Sequence, residues 1–297
     1  MEYKIFGATG WKVSALSFGC MSLEGGTATE AATLIDQAVD AGVNFFDTAD
    51  LYEKGVNEQK VGSALKLYRH KVFIATKAGN QWRADGSGWD WNPRRDYILR
   101  CAEESLKRLQ TDYIDLYQLH GGTLEDNIDE AIDAFETLKQ QGKIRQYGIS
   151  SIRPTVIREY VQRSSIVSVM TQYSLLDRRP EESTLPLLEA NNKAVLVRGA
   201  FAQGLLINKP AKDYLGRSAD EVGNVQQLQK ELAGKGYTPQ QLALNFVLQN
   251  PAVTTVVAGI RTNGQLSELL EAAQPVAEAD LEQLSEAVPA NFYKEHR

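Results

Sequence analysis

Asp47, Tyr52, Lys77 and His120 are residue types that together can deliver a proton to a carbonyl oxygen. Asp47 and Tyr52 lie in F-F-D-T-A-D-L-Y (45–52), Lys77 closes V-F-I-A-T-K (72–77) and His120 closes D-L-Y-Q-L-H (115–120). Each motif carries an apolar, β-type run. A free tyrosine has a pKa of about 10, too high for easy ionisation at neutral pH. A neighbouring ammonium favours the phenolate and lowers that value. Asp47 would keep Lys77 charged and oriented, and His120 would donate a hydrogen bond that polarises the carbonyl. The reaction that suits such a set is carbonyl reduction, in which hydride reaches carbon and a proton reaches oxygen. Taken singly, each residue has a plainer role: a turn cap, a packing ring, a solvated ammonium, a satisfied imidazole. Their weight comes from joint placement.

That placement follows from the elements between them. Apolar strand patterns fall at Leu16–Met21, Val43–Thr48, Val72–Lys77, Tyr113–His120, Gln146–Ser151, Ile166–Tyr173, Ala194–Ala200 and Val253–Ile260. Helical patterns alternate with them at Thr29–Ala41, Asn57–Tyr68 (with Asn57 as a cap), Arg94–Leu109, Asn127–Gln141, Pro154–Gln162, Pro186–Asn192, Pro239–Asn250 and Gln265–Ala273. Strands such as Val-Phe-Ile-Ala and Thr-Thr-Val-Val are apolar on both faces, as parallel sheets require. This alternation in 297 residues predicts an α/β fold, a closed (β/α)8 TIM barrel forming a single domain over 1–297. Met1–Ala15, with two Gly turns, is expected to be a β-hairpin capping one barrel end. Ala78–Asn92 and Leu205–Gly223 are expected to be extended loops at the C-terminal face. Barrel active sites lie at that face, so Asp47, Lys77 and His120, ending the second to fourth strands, share one mouth with Tyr52.

Composition narrows the partners. A net charge of −6 argues against a nucleic-acid surface. No apolar run reaches the about 20 residues of a membrane span, and M-E-Y-K-I-F lacks a signal-peptide core. Cys20 and Cys101 stand far apart, which suits a reducing compartment. The expectation is a cytoplasmic protein acting on a small molecule. A metal-dependent hydrolase built on Asp47, Asp50 and Asp115 is disfavoured, because the histidines are only His70, His120 and His296.

At these motifs the chain resembles the aldo-keto reductase family, nearly end to end. The resemblance runs through L-S-F-G-C-M (16–21), G-S-A-L (62–65), S-L-K-R-L-Q-T-D-Y-I-D-L-Y-Q-L-H (105–120), L-K-Q-Q-G-K-I-R-Q-Y-G-I-S (138–150), T-Q-Y-S-L-L (171–176) and A-Q-G-L-L (202–206). It implies a catalytic tetrad of Asp47, Tyr52, Lys77 and His120 and a nicotinamide cofactor, expected to be NADP. It places Met21, Asp47, Ser150, Ser151 and Gln172 near the nicotinamide end. Arg198 stands where an aromatic residue often stacks, and would either stack in its place or end in an ion pair. Gly199, Ala200, Phe201, Gln203, Gly204 and Leu205 are implied to line the pyrophosphate path. Gly259, Ile260, Arg261, Gln265 and Glu268, in A-G-I-R-T-N-G-Q-L-S-E-L (258–269), are implied around the adenosine, with Arg261 on a 2′-phosphate. Ser151, Arg198, Gln265 and Leu269 depart from the usual pattern. G-A-T-G (7–10) is a hairpin turn rather than a dinucleotide fingerprint.

Trp82, Trp89 and Trp91, among Gly79, Gly86 and Gly88, suggest a mobile wall favouring apolar or aromatic carbonyls, with at least one Trp pinning the loop. Lys209, Lys212 and Arg217 either fold over cofactor phosphates or are solvated. The competing function is a cofactor-binding regulatory module of the same fold with little turnover.

Overall fold

The fold is given by a computed structural model that describes residues 1–295; His296 lies outside the described residues. An antiparallel hairpin, β1 (Tyr3–Ile5) and β2 (Lys12–Ser14), opens the chain. Then follow β3 (Leu16–Gly19), α1 (Ala28–Asp40), β4 (Phe45–Asp47), α2 (Val56–Leu65), β5 (Phe73–Ala78), a second hairpin β6 (Asn80–Trp82) and β7 (Trp89–Trp91), α3 (Arg95–Leu109), β8 (Ile114–Leu119) and α4 (Ile128–Gln140). The second half runs β9 (Ile144–Ser150), α5 (Pro154–Arg163), β10 (Ser168–Gln172), α6 (Thr184–Ala190), β11 (Ala194–Arg198), α7 (Ala219–Ala233), α8 (Pro239–Leu248), β12 (Val253–Gly259), α9 (Asn263–Ala272) and α10 (Glu278–Ala287). Eight parallel strands close a barrel in the order β10-β11-β12-β3-β4-β5-β8-β9. All eight expected strand–helix units are present.

Local chemistry sets the helix starts. Thr27 and Glu30 form a capping box on α1, Pro154 opens α5, and Thr238 caps α8 just before Pro239. The expected cap Asn57 is not one. Gly55, in a left-handed conformation, precedes α2, and the buried Asn57 side chain bridges Thr48 and the Cys20 carbonyl.

Strand pleating builds the barrel interior in tiers. Phe45, Ala75, Leu116, Met170, Ala194 and Leu196 pack with Phe6 and Val13 of the first hairpin into an apolar plug. Trp11 stacks on Phe73 and Phe6 on Phe45, sealing that end as the hairpin reading expected. Two residues further along the same strands, on the same faces, stand Asp47, Lys77, Gln118, Gln172 and Arg198. His120 follows Gln118 by two more. The floor of the site is therefore the roof of the plug.

Three elements were not anticipated. The expected mobile wall is the β6–β7 hairpin, pinned at both strands. Helix α7 buries Val222, Val225, Gln229 and Leu232 at helical spacing. Its Ser218–Glu221 capping box was the available sequence signal, masked by Gly223 and a polar composition. Helix α10 buries Asp280, Leu281 and Leu284.

Gly62 of α2 meets α3 with no room for a side chain: a Cβ there would lie 2.4 Å from the Leu109 carbonyl. Gly62→Ala gains helix propensity of up to about 1 kcal/mol, but overpacking against backbone costs about 1–3 kcal/mol. The expected net result is a melting temperature lowered by a few degrees, read by thermal unfolding, with the KM for substrate unchanged.

Candidate active site

The site is built around Lys77, which is 0% exposed. Its ammonium donates to Asp47 Oδ2 at 2.6 Å and to the Thr48 carbonyl at 2.8 Å. It stands 5.3 Å from the Tyr52 ring centre, close enough for the two groups to shift each other's protonation. Gln118 holds the other Asp47 oxygen, Nε2 to Oδ1 at 3.2 Å. The His120 ring meets Tyr52 edge-on, with centroids 6.0 Å apart and planes at 85°. The four residues expected to act together do meet at one mouth.

Burial and charge set their protonation. Burial alone would discharge Lys77, but the Asp47 carboxylate and Tyr52 outweigh it and hold the ammonium above its usual range. Burial pushes Asp47 upward against the pull of Lys77 and Gln118. For Tyr52 burial wins: the phenol lies above its ordinary value although Lys77 and Arg198 pull it down. Loss of water around the phenol thus outweighs the ammonium, contrary to the sequence expectation that Lys77 lowers the Tyr52 pKa. His120 is driven down to about 3 by burial and by the charges of Lys77 and Arg198. At neutral pH the site thus presents a protonated phenol and a neutral imidazole.

Tyr52 sits on an unusual turn. Glu53 (φ 49°) and Lys54 (φ 53°) are consecutive non-glycine residues in the left-handed region, followed by Gly55 (φ 88°). The Glu53 carboxylate receives both its oxygens' bonds from Lys60 Nζ at 2.8 Å, and Oε1 also accepts from the Gly25 amide at 3.1 Å. Glu53, Lys60, Asn57 and Gln118 were missed from sequence. Gln118 was findable, since it shares the strand face of His120.

Around the mouth, Ser150 ends β9 and Gln172 ends β10. Gln172 donates to Asp177 Oδ2 at 3.0 Å and accepts from Arg198 at 2.9 Å. Arg198 is exposed and, among the described residues, forms no ion pair. Ser151 is buried, its hydroxyl accepting from the Arg153 amide. Beyond β11 the backbone at Gly199 (φ 74°), Ala202, Gln203 and Gly204 is left-handed. Phe201 is half-buried, whereas Ala200, Leu205 and Ile260 are buried, so these three can offer a cofactor only backbone. Both backbone groups of Ile260 are already engaged by the Ser22 hydroxyl. Met21, Gly259, Arg261, Gln265 and Glu268 are exposed, and Gln265 accepts from the Arg261 amide at 2.8 Å. Leu269 is buried in the core.

The tryptophans divide. Trp82 donates to the Leu51 carbonyl at 3.2 Å, and Lys54 lies 5.0 Å from its ring centre. Trp91 donates to Asp126 at 2.8 Å and covers Gly79 and Gly121. Trp89 is exposed. Arg217 is neither solvated nor free for phosphates: it is buried, donating to the Leu176 and Pro289 carbonyls. Asp115 pairs with Arg69 at 2.7 Å and Arg145 at 3.6 Å, and no metal-type cluster occurs among the described residues.

The sequence profile of the Aldo/keto reductase family matches residues 15–288. The chain belongs to this family. It is 46% identical to the oxidoreductase YqkF of Bacillus subtilis over the whole of both chains. It is 31% identical to the NADH-specific methylglyoxal reductase of Escherichia coli, covering 88% of this chain and 90% of that one. The holo structure of aldo-keto reductase AKR11C1 from Bacillus halodurans superposes with a TM-score of 0.93 at 46% identity, covering 100% of this chain and 99% of that one. The aldo-keto reductase is accordingly a carbonyl-reducing oxidoreductase that uses a nicotinamide cofactor.

The His120 shift has a stability consequence. Below about pH 6.5 the unfolded chain binds a proton at His120, whereas the folded chain does so only near 3. Acid between these values therefore favours unfolding. The wild-type melting temperature should fall relative to that of His120→Asn as pH drops from 7 to 4, measured by scanning calorimetry.

Proposed function

We propose that this enzyme reduces aldehydes or ketones with NADPH, with Tyr52 as the proton donor. The observation that carries this reading is the fully buried Lys77 ammonium, paired with Asp47 and the Thr48 carbonyl and lying 5.3 Å from the Tyr52 ring centre. Such a charge stabilises the oxyanion that Tyr52 becomes once its proton has left. Burial keeps the phenol protonated beforehand, the form that carbonyl reduction requires. His120, neutral, donates a hydrogen bond to the carbonyl oxygen and polarises it. The bound nicotinamide supplies hydride to the carbonyl carbon.

The residues fit such a cofactor. The left-handed turn at Gly199–Gly204 gives a close-approach backbone, with a Cβ at Gly199 reaching 3.1 Å from Gln172. Ser150, Ser151 and Gln172 would hold the carboxamide, and the planar Arg198 would lie against the ring. Arg261, exposed next to the Thr262-capped start of α9, suits a 2′-phosphate with Gln265 and Glu268 beside it. This supports NADP, in contrast to the NADH-specific Escherichia coli relative. Trp82, Trp89 and Trp91 form an aromatic wall suited to apolar carbonyls. The regulatory-module reading has no observation in its favour, since the tetrad geometry is complete.

Tyr52→Phe should lower kcat by about a thousandfold while NADPH still quenches tryptophan fluorescence; retained turnover would refute the donor assignment. Arg261→Ala should raise the KM for NADPH about tenfold or more and leave that for NADH unchanged. Equal effects on both cofactors in steady-state assays would refute the phosphate contact.

A further inference from the structure

Tyr52 is joined to α2 by three successive left-handed residues, Glu53, Lys54 and Gly55. Only the third is glycine. An L-residue in this region crowds its own Cβ against the backbone, so two in succession persist only where something holds them. Each of the two has a holder. Glu53 is gripped by Lys60, which is 9% exposed and also donates to the Leu23 carbonyl at 3.3 Å. Lys54 lies over the Trp82 ring, and Trp82 in turn holds the Leu51 carbonyl immediately before Tyr52. The Glu53 grip further reaches the Gly25 amide, in the segment that follows β3 and Met21.

We infer that Glu53 is a positioning residue: its ion pair with Lys60 holds the left-handed turn that keeps Tyr52 beside Lys77 and edge-on to His120. The inference rests on Tyr52 being the proton donor. Without the clamp, a residue with a Cβ at 53 relaxes towards right-handed conformations and carries Tyr52 out of line. Glycine at 53 would remove the need for the clamp, because it occupies the left-handed region without crowding. Strain and clamp are thereby separable by mutation.

The test uses the full chain with NADPH and an aldehyde such as 4-nitrobenzaldehyde, measuring kcat, KM, the NADPH dissociation constant and the melting temperature. Glu53→Ala should lower kcat by about ten- to a hundredfold, with KM and NADPH affinity changed less than about twofold. Glu53→Gly should turn over at least about fivefold faster than Glu53→Ala. Lys60→Met should reproduce the Ala defect in the parent and add nothing to Glu53→Gly, while Lys60→Arg restores the parent rate. A parent-like kcat in Glu53→Ala overturns the inference. So does a Gly variant as slow as the Ala variant, which would assign the effect to the carboxylate itself. A loss that follows melting temperature alone marks Glu53 as merely structural. Turnover surviving in Tyr52→Phe would instead overturn the donor assignment, and the clamp with it.

Discussion

Taking an ammonium wholly out of water costs several kcal/mol unless every donor finds an acceptor, and Lys77 is the group the site is organised to satisfy. Asp47 comes from the neighbouring strand and the Thr48 carbonyl from the turn beyond it, with the Tyr52 ring 5.3 Å away on the next turn. Asp47 then needs Gln118 for its second oxygen, and Thr48 is steadied by Asn57, which also ties down Cys20. Parallel strands at fixed register bring these groups together with few degrees of freedom. The apolar plug packs directly beneath, and Lys77 itself is fully buried, so these protein groups balance its charge.

The same burial acts in opposite senses on the two groups above the ammonium. It keeps Tyr52 protonated and His120 unprotonated. An exposed arrangement would leave both nearer their ordinary values, with the imidazole partly charged in mild acid. Asp50 shows the cost of burying an acid without such a partner. It is raised to about 7 by burial and by Glu58 despite Arg108, and its Oδ1 accepts no hydrogen bond among the described residues.

Much of this was legible in the chain. Strand periodicity and the order of alternating units led to the barrel, and the motifs around Asp47, Tyr52, Lys77 and His120 led to its mouth. What periodicity could not reveal was contact between loops. Asn57 has the type and position of a cap, and only the left-handed Gly55 shows that the helix starts without it. Glu53 and Lys60 carried no signal in the sequence, because the left-handed turn that joins them is marked there only by Gly55. Arg217 was expected either over cofactor phosphates or in solvent; its partners are carbonyls at Leu176 and Pro289, remote in sequence. The balance of burial against charge at Tyr52 likewise needed the depth of the phenol, which a list of neighbours does not contain.

Trp91 rests where two glycines leave gaps. Its ring edge would lie 2.6 Å from a Cβ at Gly79 and 3.1 Å from one at Gly121, the residues shortly after Lys77 and His120. The seat of Trp91 is thus defined by two absent methyl groups. Both glycines also hold a positive φ, +128° and +144°, so a Cβ at either position would strain the backbone as well as displace the hairpin.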